Sequence, residues 1–269
     1  MLFGATLIWG LSYSIQAILA EDLGPFTVVF FKGAGGIILL PFIIKDRRVL
    51  DKSTIIDGMI IGAVAFLGCI FQQLGIVNST VSKASFITTL YIIFVPLIER
   101  LSGKKIPRRI IISVCIALAG LYFLCFSGNE TFGIGDFYLL LCSVCFALQI
   151  IRIDKATRKH DPLSIIFVSQ IATALYSAIF MIAKERPSLE ALGSSLIPLI
   201  YITFIAGLFA QSLQITFQKD TGPSLASLIM SFESVFGALF GWIVLSQSLT
   251  GKEIFGCVLV FIAIIIAES

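Results

Sequence analysis

Apolar runs of roughly 20 residues recur along the whole chain, separated by short loops in which Lys, Arg, Gly and Pro collect. A helix that crosses a bilayer needs about 20 mainly apolar residues, so the runs predict an all-α, polytopic membrane protein. Composition agrees: 58% of the 269 residues are hydrophobic, 13% are charged, and the mean hydropathy is +1.02. A soluble domain of this length needs a polar surface that so few charges cannot supply. Lipid is therefore an expected partner.

Ten spans are predicted, at 2–20, 26–44, 55–77, 82–99, 109–126, 135–152, 163–182, 196–217, 223–245 and 252–267. The first is read as a spanning helix rather than a cleaved leader, because no basic segment precedes it; a short cytoplasmic tail is expected before it. Basic residues sort by loop. Segment 45–54 carries four, 100–109 five and 152–161 four, and Lys219 adds another, whereas the opposite loops hold Lys83, Lys184, Arg186 and Lys252. The cytoplasmic side holds the excess, so both termini are expected in the cytoplasm.

The chain repeats itself weakly. At an offset of 137, LIWGLSYSIQ (7–16) lies on VCFALQIIRI (144–153), and Gly24-Pro25 falls on Asp161-Pro162. At an offset of 142, Gln72 falls on Gln214 and ASFITTLYIIF (84–94) on ASLIMSFESVF (226–236). Five spans per half is odd, so the second half enters the membrane inverted. The expected domains are 1–126 and 127–269, two inverted repeats that place a binding site at the midplane between them.

Ionisable residues inside a membrane usually face a cavity or a partner. Glu233 lies in mid-helix 9, and Lys32 about a third of the way into helix 2. For Glu233 two readings stand side by side: a buried carboxyl satisfied by neighbouring Ser and backbone groups, or a group that takes an ammonium or a proton during transport. Lys32 either snorkels to the interface or faces the cavity. Helix 8 carries Gly207, Gln211, Gln214 and Gln218 on one face, and helix 3 carries Gly68, Gln72, Gly75 and Ser79. Such stripes either line a cavity or glue helices, as Gly58-x-x-x-Gly62 and Gly237-x-x-x-Gly241 suit. The expected substrate-binding set is Trp9, Lys32, Gln72, Gln73, Thr88, Tyr91, Gln149, Gln211, Gln214, Ser231 and Glu233. Tyr91 and Glu233 occupy equivalent positions of the two halves. Helices 5 and 10 are almost wholly apolar, which suits lipid or a homodimer contact.

The six Cys lie within apolar runs and the one His, His160, is in a loop, so no metal or redox site and no cofactor are expected. The basic residues are confined to loops, which gives no nucleic-acid-binding face. No G-x-x-x-x-G-K-[ST] occurs, so ATP hydrolysis is not expected, and one membrane carboxylate without a membrane His argues against an enzyme.

LIWGLSYSIQAILAEDLGPFTVVFFKGAGGIILLPF (7–42), GDFYLLLCSVCFALQIIRIDKATRKHDPLSIIFVSQ (135–170) and ASLIMSFESVFGALFGWIVLSQSLTGKEIFG (226–256) resemble EamA-type proteins of the drug/metabolite transporter superfamily. The resemblance covers the whole chain and implies ten helices in two five-helix repeats, a cavity lined by helices 1, 3, 4, 6, 8 and 9, and export or exchange of small metabolites such as amino acids across the inner (cytoplasmic) membrane. Ser234 stands where the family often has Pro, and Lys32 where Arg is common, so neither a proline kink nor bidentate Arg recognition carries over. A non-transporting assembly subunit is the alternative. It predicts dry, interlocked amide stripes with no midplane cavity.

Overall fold

The computed structural model describes residues 1–39, 50–125, 132–245 and 250–268. Fourteen α-helical pieces follow one another: α1 Leu2–Asp22, α2 Pro25–Ala34, α3 Lys52–Val77, α4 Val81–Thr89, α5 Tyr91–Leu101, α6 Arg108–Cys125, α7 Ile134–Thr157, α8 Pro162–Lys184, α9 Leu189–Ser194, α10 Leu196–Ile200, α11 Gln211–Thr221, α12 Pro223–Met230, α13 Phe232–Leu245 and α14 Gly251–Glu268. A 3-10 turn, Gly35–Leu39, extends α2, and a π-helical stretch, Tyr201–Ala210, joins α10 to α11. Among the described residues there is no strand. Among the described residues seven stretches are long and apolar enough to cross a membrane, and Pro25–Leu39 is a shorter apolar one. The chain is a multi-pass membrane protein. The end of the expected second span, 40–44, falls outside the described residues.

Helix starts follow local chemistry. Asp51 accepts from Thr54 N at 2.7 Å ahead of α3, Thr80 from Lys83 N at 3.2 Å ahead of α4, and Asp161 from Ser164 N at 3.1 Å ahead of α8. The start of α2 has no cap of its own, since Gly24 and Pro25 offer no side-chain acceptor. Glu185, just past α8, supplies it: its carboxylate takes Phe26 N at 2.8 Å and Thr27 N and Oγ1 at 2.7 Å each. A Cβ on Gly24 would lie 2.2 Å from Glu185 Cδ, so only glycine admits this cap.

Expected spans 4 and 9 are each broken in two. Leu90 separates α4 from α5, and Ser231 separates α12 from α13. Neither break has a proline. At both, a hydroxyl bonds back to the preceding turn: Thr89 Oγ1 to Ser85 O and Phe86 O (3.0 and 2.8 Å), and Ser231 Oγ to Leu228 O (2.7 Å). Thr89 and Ser231 correspond at the offset of 142.

Packing pairs α3 with α7 and α8, and the rod from α10 to α11 with α1 and α2. In the same way α13 lies on α1 and α5 on α7, α2 packs on α8, and α6 packs on α14. Close crossings use small residues: Gly58 faces Val168 and Gly62 faces Ala172 across α3 and α8, whereas Gly10 of α1 sits against Phe236 and Gly237 of α13. The largest core cluster includes Tyr13, Tyr91, Leu121, Leu139, Met230 and Val260. Exposed Ile111, Ile112, Phe255, Val258 and Phe261 give α6 and α14 an apolar outer face, which suits lipid.

Candidate functional site

Both helix breaks are adjacent to the residues that the sequence places at matching positions. Tyr91 is the first residue of α5 and Glu233 the second of α13, so the carboxylate sits at a half-helix N-terminus, where unpaired N–H groups favour negative charge. Tyr91 OH donates to Glu233 Oε1 at 3.0 Å and Tyr13 OH donates to the same oxygen at 3.4 Å. Gln72 Nε2 donates to Tyr13 OH at 3.2 Å, and Lys32 Nζ donates to Gln72 Oε1 at 3.4 Å. Every bond in this row points its hydrogen toward Glu233. Lys32 and Glu233 make no direct ion pair; an amide and a phenol stand between them. Glu233 is 5% exposed and its Oε2 has no protein partner among the described residues.

A cavity of about 70 Å³ opens beside this row, large enough for several waters or a small polar group. Its wall carries a regularity. Each of the eight lining residues from the first half has its counterpart, 137 or 142 positions on, in the same wall. Trp9 goes with Phe146, Ser12 with Gln149, Tyr13 with Ile150 and Lys32 with Ser169. Ala65 goes with Gly207, Cys69 with Gln211, Gln72 with Gln214 and Tyr91 with Glu233. The amide repeats at Gln72 and Gln214, but the charges do not: the cation comes from one half and the carboxylate from the other.

Of the expected binding set, Trp9, Lys32, Gln72, Tyr91, Gln149, Gln211, Gln214 and Glu233 line this cavity, and Gln73, Thr88 and Ser231 do not. Gln73 Nε2 binds Gln16 O at 3.1 Å, Thr88 Oγ1 lies 4.0 Å from Cys142 Sγ, and the Ser231 hydroxyl is spent on the helix break. The amide stripes both line and glue: Gln214 Nε2 donates to Gln218 Oε1 at 3.0 Å, and Gln218 Nε2 to Ile150 O at 2.6 Å. Ser79 has left the helix-3 stripe for a turn, where it bonds Asp136 at 3.2 Å. The π-helical stretch presents carbonyls to the site, Ala206 O accepting from Trp9 Nε1 at 3.1 Å and Gly207 O from Gln170 Nε2. Sequence reasoning passed over Tyr13 and Gln170. Tyr13 lies four residues after Trp9 on the same helix face, which was the available signal. Among the described residues no group of His, Cys, Asp and Glu is arranged to hold a metal.

The EamA-like transporter family model matches residues 1–126 and, separately, 133–268. The chain belongs to that family. A transporter of Archaeoglobus fulgidus, described as uncharacterized, is 33% identical over 266 residues, covering 97% of this chain and 82% of the relative. A second such transporter from the same organism is 23% identical over 270 residues, with 97% and 94% covered. A protein of known crystal structure, 18% identical, superposes with a TM-score of 0.75 over 98% of each chain, a likeness of fold. A membrane transporter of this family is thus the setting in which the cavity acts.

Proposed function

We propose that this protein is a secondary transporter of the cell membrane that exports or exchanges a small organic metabolite, such as an amino acid, by alternating access. Two inverted five-helix halves, 1–126 and 127–269, make ten spans with both termini in the cytoplasm. The observation that carries the reading is the cavity wall assembled from corresponding residues of the two halves. Packing supports it: exchanging the halves turns the α3 contacts with α7 and α8 into those of the α10–α11 rod with α1 and α2, and α1 on α13 into α7 on α5. The α2–α8 and α6–α14 pairs map onto themselves. Two such halves can trade conformations and so open one midplane site to either side.

The chemistry of the wall suits a zwitterion. Lys32 offers an ammonium with hydrogens beyond the one given to Gln72, Glu233 Oε2 offers a free acceptor, and Gln149, Gln211 and Gln214 supply neutral donors and acceptors between them. Glu233 takes a substrate ammonium or a proton. Phe146, Ile150 and Met230 form an apolar flank for a side chain. A cavity lined by these amides also runs against the assembly-subunit alternative. Counterflow of a panel of labelled amino acids into proteoliposomes tests the proposal. At least one is expected to accumulate against its preloaded partner, and accumulation no greater than in protein-free vesicles for every member would contradict it.

A further inference from the structure

One turn past Ser12 in α1 and one residue past Gln72 in α3, two buried amides adjoin the cavity lining, linked through the Gln16 backbone carbonyl. Gln16 is 1% exposed and Gln73 is 0% exposed. Gln16 Nε2 donates to Ser12 O at 3.1 Å and Ser12 Oγ at 3.4 Å, and Gln73 Nε2 donates to Gln16 O at 3.1 Å. These bonds fix both amides, because turning either one would set its oxygen against a carbonyl. Gln16 Oε1 and Gln73 Oε1 are then left buried with no partner among the described residues.

Packing does not require amides here. On the two-repeat reading proposed above, on which this argument rests, the counterparts of Gln16 and Gln73 are Ile153 and Ile215. Both are fully buried and belong to one apolar cluster. The fold closes this position dry in one half, and in the other it keeps two oxygens that burial penalises unless something meets them.

We propose that Gln16 and Gln73 form a second binding site, for a monovalent metal cation such as Na⁺, beside the central cavity. Each N–H₂ group has an acceptor while both orphaned atoms are acceptor oxygens, which favours a ligand that needs acceptors. Neutral amide oxygens suit hard cations, and divalent ions are ordinarily held with carboxylates, which this pair lacks. Gln73 adjoins Gln72, and Gln16 bonds Ser12 of the cavity wall, so a cation here lies next to the row that ends at Glu233. Its occupancy and that of Glu233 are then linked, each altering the other's affinity by the same factor.

The test is thermal unfolding of the purified full chain in detergent, in LiCl, NaCl, KCl and N-methyl-D-glucamine chloride at equal ionic strength. One alkali cation is expected to raise the Tm by about 3 °C or more over N-methyl-D-glucamine. Gln16→Ile with Gln73→Ile, the residues of the other half, is expected to abolish that rise. Should the double variant fail to fold, Gln73→Leu alone serves, since it leaves the Gln16–Ser12 bonds in place. Equal Tm values in all four salts, or a rise that survives the substitutions, would overturn the proposal and leave the amides holding water. The readout is independent of transport, so this site and the proposed function stand or fall separately.

Discussion

Tyr91 donates a 3.0 Å hydrogen bond to Glu233, its own counterpart 142 positions later in the chain. The carboxylate that the sequence made conspicuous accepts from two phenols at the start of a half-helix, and on the two-repeat proposal such a contact lies close to the axis that relates the halves.

Losing that bond has a definite cost. Tyr91→Phe removes the shorter of the two bonds that hold Glu233 Oε1 and should lower stability by about 0.5 to 3 kcal/mol and weaken apparent substrate affinity. Tyr13→Phe, whose bond is 3.4 Å, should cost less. Concentration-dependent uptake by the two variants checks the order.

Hydroxyls, not prolines, sit at the two helix breaks and bond back to the preceding turn. If these hydroxyls hold the breaks open, Thr89→Val and Ser231→Ala should slow amide exchange across 89–93 and 231–235; Thr89→Val should also cost about 1 kcal/mol or more, because it removes a buried hydroxyl bonded to Ser234 Oγ at 3.0 Å. Hydrogen-exchange mass spectrometry reads this directly, and unchanged exchange would assign the breaks to packing instead.

Gly207 sets how closely two helices approach: a Cβ there would lie 2.2 Å from Lys32 O and 2.7 Å from Ile202 O. Gly207→Val should destabilise by about 1 to 3 kcal/mol or more. Gly193, with nothing within 4 Å, is the control, where Ala should be neutral or stabilising by up to about 1 kcal/mol. Thermal melts compare them.

Asp51 caps α3 ahead of its membrane stretch, and hydrogen bonds from Thr54 hold its carboxyl below the usual range. A lowered folded-state value means the cap's contribution is present above the unfolded value of 3.8 and fades as pH falls below it. Asp51→Asn, an equally good cap without the charge, should flatten that acid-side dependence of exchange in the first turn of α3. An unchanged slope would place the acid sensitivity elsewhere.

Much of this was legible in the sequence, because lipid imposes long apolar runs and because residues of the cavity wall recur at fixed offsets. The offsets of 137 and 142 read from Gly24-Pro25 and Gln72 are the ones that pair the cavity wall. What stayed hidden depends on facing and on hydroxyl rotation. Gln72 and Gln73 are adjacent, about 100° apart on a helix, so one lines the cavity and the other does not. Tyr13 resembled the many aromatic residues that only pack, until its phenol was found between Gln72 and Glu233. Hydroxyls like those of Thr89 and Ser231 also back-bond inside unbroken helices, as Thr173 and Ser177 do, and Glu185 caps α2 from 159 residues away, beyond any local pattern.

The central claim is that Glu233 works in the transport cycle, and comparing wild type with Glu233→Gln in proteoliposomes tests it most directly. With a labelled substrate, transport driven by an imposed pH gradient and counterflow at equal pH are measured on the same preparations. If Glu233 carries the proton, the variant should keep counterflow and lose the response to the gradient; if it holds the substrate ammonium, both should fall together. A folded variant that matches wild type in both assays would contradict the account, leaving Glu233 a structural carboxylate.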